Sequence, residues 1–222
     1  PEPHEYALLA GLGLIGFATS DNSVKAEIWK ALDESLKNDG ARNRNIRVPV
    51  VNAIGLLRPD PTDEQGKDLF LKCVKTLDDY WQEELGAGDQ LIQSHVPPAM
   101  SKLFDDVDVE ADEDLKKLYD GFREAYLDQL NGRSRSKKSN IDIDRSLVLA
   151  LGRMTQPNNG KKPKDGPPTP ELDLKISLSL QKYYEDGQDQ QAKFFSLLSI
   201  GMIGGIENRN FLIQALEKGS KA

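Results

Sequence analysis

A short apolar run with small residues at its centre recurs along the chain, at Leu8–Gly16, Val50–Leu57, Leu147–Met154 and Leu197–Gly204. The copies align on Gly13, Gly55, Gly152 and Gly201. An apolar residue precedes each glycine (Leu12, Ile54, Leu151, Ile200), and a small one precedes that (Gly11, Ala53, Ala150, Ser199). The first two copies lie 42 residues apart, the last two 49, and the middle gap is 97, about twice the others. A further copy is therefore expected near residue 103. Val96–Leu103 supplies it: like Val48–Gly55 it opens with Val-Pro, and it sets small Ser101 over Ala53 and Leu103 over the glycine. Five units follow, at about 1–40, 41–86, 87–131, 138–186 and 187–222, the third degenerate. A period of this length is that of stacked helical hairpins.

Each unit carries a second segment with helical spacing. Val24, Ile28, Leu32 and Leu36 follow Asp21-Asn22-Ser23, a cluster suited to capping a helix N-terminus. Leu69-Phe70, Val74, Leu77 and Trp81 follow Thr62-Asp63-Glu64, and Leu115, Leu118-Tyr119, Phe122 and Tyr126 follow an acidic run. Leu172, Ile176, Leu180 and Tyr183-Tyr184 follow Thr169-Pro170-Glu171, where Thr is expected to cap and Pro to take the first turn. Phe211-Leu212 and Leu216 close the last unit. No sustained period-two alternation bounded by turns suggests a strand. The pattern predicts an all-α chain of about ten helices in five pairs.

The runs at Val50–Leu57, Leu147–Met154 and Leu197–Ile203 resemble the first helix of HEAT-type repeats, an apolar segment closing on Ala-Leu-Gly. In that family an Arg often stands eight positions before the glycine. Arg47 and Lys193 hold that place here, while Asp144 departs from it with Arg145 beside it. The resemblance covers most of the chain and implies one domain over 1–222, an α-solenoid (α-α superhelix) of about five HEAT-like hairpins whose second helices line a concave face. It carries over no catalytic residue, because the family is defined by architecture.

Composition adds bounds. With 38% hydrophobic and 29% charged residues in 222, the chain has enough apolar material for a core and a large charged surface. No apolar run reaches the roughly 18–20 residues of a membrane helix. The chain starts at Pro1 rather than Met, so cytoplasmic placement and export with a removed signal both stay open. Net charge is −7, divided as −12 over residues 1–131 and +5 over 132–222. An acidic front half argues against nucleic acid as a partner along the whole surface.

Candidate chemistry is sparse. Gly11, Gly13 and Gly16 match G-x-G-x-x-G, but a dinucleotide site needs a strand before and a long helix after, and Thr19–Ser23 breaks the helix. No cofactor is expected. Cys73, His4 and His95 fall short of a zinc ligand set, and the single His4-Glu5 pair falls short of the several such pairs in iron-binding relatives of the HEAT superfamily. Residues 105–114 hold seven acids that calcium would suit, without the glycine and glutamate spacing of an EF-hand loop. Arg133, Arg135, Lys137 and Lys138 form a basic loop between units, a candidate contact for an acidic or phosphorylated partner. Lys161-Lys162-Pro163-Lys164 forms another, and mobile charged loops are the plainer reading of both. Aromatics recur on the second helices, and Trp29, Trp81, Tyr119, Tyr126 and Tyr183 are candidate anchors for a peptide. In Tyr80-Trp81 and Tyr183-Tyr184 neighbours point about 100° apart, so one of each pair is expected to be exposed or at a boundary.

No nucleophile or acid–base constellation stands out. The expectation is a non-catalytic scaffold that binds another protein. A nucleic-acid-binding or base-modifying HEAT-like enzyme and a HEAT-like lyase are the alternatives. The first helix is expected at an end of the array, with one apolar flank uncovered.

Overall fold

The structure, a computed structural model, describes residues 3–37, 44–134, 138, 140–163 and 167–219. It is all-helical, with no strand among the described residues. The helices are α1 (Pro3–Ala18), α2 (Asn22–Lys37), α3 (Arg44–Leu57), α4 (Glu64–Gln82), α5 (Ala87–Gln93), α6 (Val96–Leu103), α7 (Glu113–Leu130), α8 (Ile141–Arg153), α9 (Glu171–Asp186), α10 (Gln190–Ile203) and α11 (Ile206–Gly219), with a 3-10 turn at Val109–Ala111. Two compact units divide the chain, residues 1–113 and 114–222. The charge asymmetry follows that division, at −11 for the first unit and +4 for the second.

In the first unit the first helices pack in series, α1 on α3 and α3 on α6. Each newcomer settles into the groove of the hairpin before it: α3 touches both α1 and α2, and α6 touches both α3 and α4. The recurring glycines mark the closest approach. A Cβ added at Gly13 would come within 2.8 Å of Ala53 Cα, and one at Gly55 within 2.7 Å of Ala99 Cα. Only hydrogen at those places lets the helices come so near. Gly13 meets the residue two before Gly55, so Gly55 meeting Ala99 makes Ser101 the glycine's counterpart in the third copy. Matching Val-Pro with Val-Pro had set Leu103 there, two residues off.

The core of this unit is carried by α4, where Leu69, Phe70, Cys73 and Leu77 are buried and Phe70 meets Phe104 edge to face at 5.1 Å. Full burial of one such side chain contributes roughly 1.5–3 kcal/mol. Asp63 caps α4, its carboxylate accepting from Gly66 N at 2.6 Å. At the other end, Gln93 of the unexpected helix α5 is fully buried. Its Nε2 donates to the carbonyls of Tyr80, Trp81 and Glu83 at 2.8–3.2 Å, satisfying acceptors a helix C-terminus leaves open.

The second unit repeats the arrangement. α10 lies against both α8 and α9, and Gly152 faces Ser199, whose Cα would sit 2.8 Å from an added Cβ. Ser199 Oγ donates to Val148 O at 2.9 Å, so the small residue also satisfies a hydrogen bond across the contact. Arg145 fastens the same step from the side: Nη2 reaches Asp189 Oδ2 at 2.9 Å, while Asp189 caps α10 by accepting from Gln191 N and Ala192 N. That interaction holds the Asp189 carboxyl below the usual carboxylate range. α7 joins through buried Arg123, which pairs with buried Asp173 of α9 and with Asp120 at 2.8 Å, and through Tyr119 OH, which donates to Met154 O at 2.7 Å.

Candidate interaction surfaces

The aromatic candidates fare unequally. Tyr126 is 1% exposed and Trp81 8%, so neither presents surface to a partner. Tyr80, 3% exposed, is buried alongside Trp81, against the expectation that one of the two would be exposed or at a boundary. Both can be buried because α4 is covered on more than one side, by α3 and α6 on its flanks and by Gln93 of α5 over its last turn. Trp29, Tyr119 and Tyr183 are half-buried, and their polar tips are engaged within the chain. Trp29 Nε1 donates to Thr76 Oγ1 at 3.3 Å, and Tyr183 OH donates to Asp144 Oδ2 at 3.1 Å. Burial, with the Asp144 charge second, pushes the Tyr183 hydroxyl far above its ordinary pKa. Trp29, Tyr119 and Tyr183 belong to two different units, and each is fixed as part of its own.

Of the basic loop, Arg133 is exposed, Lys138 is buried, and Arg135 and Lys137 lie outside the described residues. Gln129 Nε2 donates to the Lys138 carbonyl at 3.2 Å, tying that end of the loop to α7. The second loop is anchored at its two ends, and its Lys164 lies outside the described residues. Asn158 is 1% exposed, and Thr169 does not cap α9 as expected, because Pro170 takes the cap position and Thr169 Oγ1 accepts from Asn159 N at 2.8 Å.

The acidic run is engaged in intramolecular contacts. Asp106 pairs with Arg58, Asp112 pairs with Lys67, and Asp108 accepts from Glu110 N at 3.2 Å. Among the described residues no group of three or more His, Cys, Asp or Glu is placed to hold a metal ion. Side chains of residues 1–4, His4 included, lie outside the described set. Cys73 is fully buried in the α4 core, and that burial pushes its thiol far above its ordinary pKa. Lys25, also buried, donates to Arg58 O at 2.7 Å, and burial lowers its pKa. No described helix is long and apolar enough to cross a membrane.

The feature that stands out is a groove of about 590 Å³ between α10 and α11, lined by Ile200, Gly201, Ile206, Leu212 and Leu216, with Arg209 the charge in its lining. It is held open by a specific turn. Gly204 and Gly205 both adopt positive φ, +68° and +87°, a backbone region that disfavours any residue with a Cβ. Gly205 lies directly on the Asn158 backbone, and Asn158 N donates to Gly204 O at 3.2 Å while Glu207 N donates to Asn158 O at 3.1 Å. Buried Asn208 sits at the centre. It accepts from Gln181 Nε2 at 3.0 Å and from Asn158 Nδ2 at 3.3 Å, and its own Nδ2 donates to Ser177 Oγ and Ile200 O. α9, α10, α11 and the 158 loop are thereby fixed to one another, which sets the groove's width.

Around this groove the surface is apolar in a way a finished helix face is not. Leu198 and Met202, together on one side of Gly201, are 59% and 54% exposed, and Leu216 is 75% exposed. Exposed apolar patches are the kind of surface on which proteins and ligands dock. α1 shows the same condition in the other unit, with Leu8 and Ile15 at 64% and 56% exposure, the uncovered flank expected of it. The sequence carried a signal for the groove, since Gly201 is the last copy of a glycine that elsewhere meets the following copy. The Asn158–Asn208 centre had no such signal. Compared with known proteins, the chain matches no family model, no curated protein and no solved structure.

Proposed function

We propose that the chain is an α-solenoid of HEAT-like hairpins that acts as a non-catalytic scaffold and binds other polypeptides, with the α10–α11 groove as its binding surface. One observation carries this reading. Among the described residues the groove between the helices of one hairpin receives an apolar helix when α3, α6 and α10 settle on the hairpins before them, and the α10–α11 groove has the same build with no described helix in it. A polypeptide that fits is an apolar helix with a small residue facing Gly201, since an apolar groove reads helix anchors at i, i+3, i+4 and i+7 spacing. The second-helix aromatics and the basic loop contribute less, because Trp81, Tyr126 and Lys138 are buried and the polar tips of Trp29, Tyr119 and Tyr183 already bond within the chain.

The test is a selection of displayed random peptides on the 222-residue protein, followed by fluorescence anisotropy of the recovered sequences. They are expected to be helical with apolar-small-apolar spacing, to lose binding to the Gly201→Leu variant and to bind Arg133→Glu as well as the unaltered protein. Binders indifferent to Gly201→Leu would place the surface elsewhere.

A further inference from the structure

Each closed step of the ladder joins two dissimilar faces. One is the face of a first helix that carries the glycine, beside its second helix. The other is the face of the next first helix that carries the small residue two places before its own glycine. Gly13 on Ala53, Gly55 on Ala99 and Gly152 on Ser199 are the three closed steps. Among the described residues each kind of face is also found uncovered, the glycine face on α10 and the small-residue face on α1. At α10, an added Cβ on Gly201 would meet only Leu212 Cδ1, at 3.9 Å, and the groove beside it is unfilled. At α1, an added Cβ on Gly11, the small-residue position, would meet nothing within 4 Å. Leu8 and Ile15 lie on that same side of α1, in the places held in α3 by Val50 and Leu57, both fully buried.

The open faces are therefore the two halves of one contact, and we infer that a second copy of this chain fills the α10–α11 groove with its α1, Gly11 facing Gly201. This rests on the reading of the groove as a binding surface and names its occupant. Two observations favour a second copy. The contact would continue an interface the chain already makes three times, with the same pairing of glycine against a small residue. Charge also agrees: α1 belongs to the unit of net charge −11 and carries exposed Glu5 on the side of Leu8, while the groove belongs to the unit of net charge +4 and contains Arg209. Opposite potentials steer and orient such an encounter. Because the two faces differ, the contact is heterologous: each copy offers one of each, so association runs head to tail, from a dimer upward.

Sedimentation velocity on the 222-residue protein over a wide concentration range tests this. The expected result is a mass that climbs through multiples of 24.7 kDa as concentration rises. Gly201→Leu and Gly11→Leu each obstruct one face while adding a side chain into open space, so both should keep full helical circular dichroism and remain single chains. Mixed in equal amounts they should pair, because one retains the α1 face and the other the groove, and the assembly should stop at two chains. A protein that stays at 24.7 kDa throughout overturns the inference, as do variants that associate like the unaltered chain or a mixture that does not pair. If the chain stays single while selected peptides still occupy the groove, the occupant is a different polypeptide, and only self-docking falls. If neither binds there, the scaffold reading falls as well.

Discussion

Gly152 and Gly201 hold the same place in successive copies of one motif, each preceded by an apolar residue and a small one, yet their surroundings are opposite. Gly152 is buried against Ser199, with the Arg145–Asp189 pair fastening the step beside it. Gly201 is exposed at the edge of an unfilled groove, with Leu198 and Met202 uncovered beside it. The motif thus encodes a face able to receive a helix, and whether a helix is received depends on what comes next. The same residue type is a packing necessity in one place and a helix-weakening vacancy in the other, and substitutions should expose that contrast.

The largest effect is expected beside the closed step. Ala150 is 1% exposed and sits two residues before Gly152. Ala150→Asp buries a charge with no partner, at a cost of about 5 kcal/mol or more. Hydrogen exchange should lose its protection across α8 and α10, and the melting temperature should fall sharply. Unchanged protection there would mean that α8 does not pack in this register.

A smaller loss follows from crowding the step itself. Gly152→Ala drives a methyl into Ser199 Cα and Cβ, where backbone as well as side chain must shift, and overpacking of this kind costs about 1–3 kcal/mol. Urea denaturation should show a lower midpoint with an unchanged slope. An equal or higher midpoint would show that the two helices separate freely enough to make the glycine dispensable.

Much of this contrast was legible in the sequence, and the reasons some of it was not are physical. The glycine and the small residue two places before it locate each first helix, because close approach leaves hydrogen or methyl as the only fit. The third copy is expected two residues off because its Val-Pro opens α6, whereas the Val-Pro at Val48 lies inside α3, and α5 intervenes before α6. Trp81 and Tyr126 look like anchors by type and spacing, but what covers them comes from elsewhere in the chain. Arg123 and Asp173 stand 50 residues apart, and no local pattern announces that two charged side chains will be buried together. The groove illustrates the same limit from the other side: its glycine was visible, its emptiness was not.

Acid should loosen the closed step more than the open one. The hydrogen bond from Arg145 holds Asp189 below the usual carboxylate range, so the folded chain binds that proton more weakly than the unfolded chain does. The stabilisation is complete at neutral pH, declines once pH enters the ordinary carboxylate range near about 4 and is lost as pH falls through the lowered value of Asp189. Arg145→Gln should reduce the neutral-pH melting temperature by a few degrees and flatten its dependence on pH in that window. Equal acid sensitivity in the variant and the unaltered chain would mean that the pair does not fasten α10.

The smallest effect has the opposite sign and separates the two glycines most cleanly. At Gly201 an added methyl meets only Leu212 Cδ1 at ordinary contact distance, so Gly201→Ala should relieve the entropic cost of a glycine in the last turn of α10 without strain. In the single chain the gain is up to about 1 kcal/mol. It should appear as a modestly higher urea midpoint at concentrations where the protein is one chain. The gain should shrink or reverse once the groove is occupied, because the methyl then stands where Gly152 tolerates none. Stabilisation that is the same at every concentration would show that no second copy approaches Gly201.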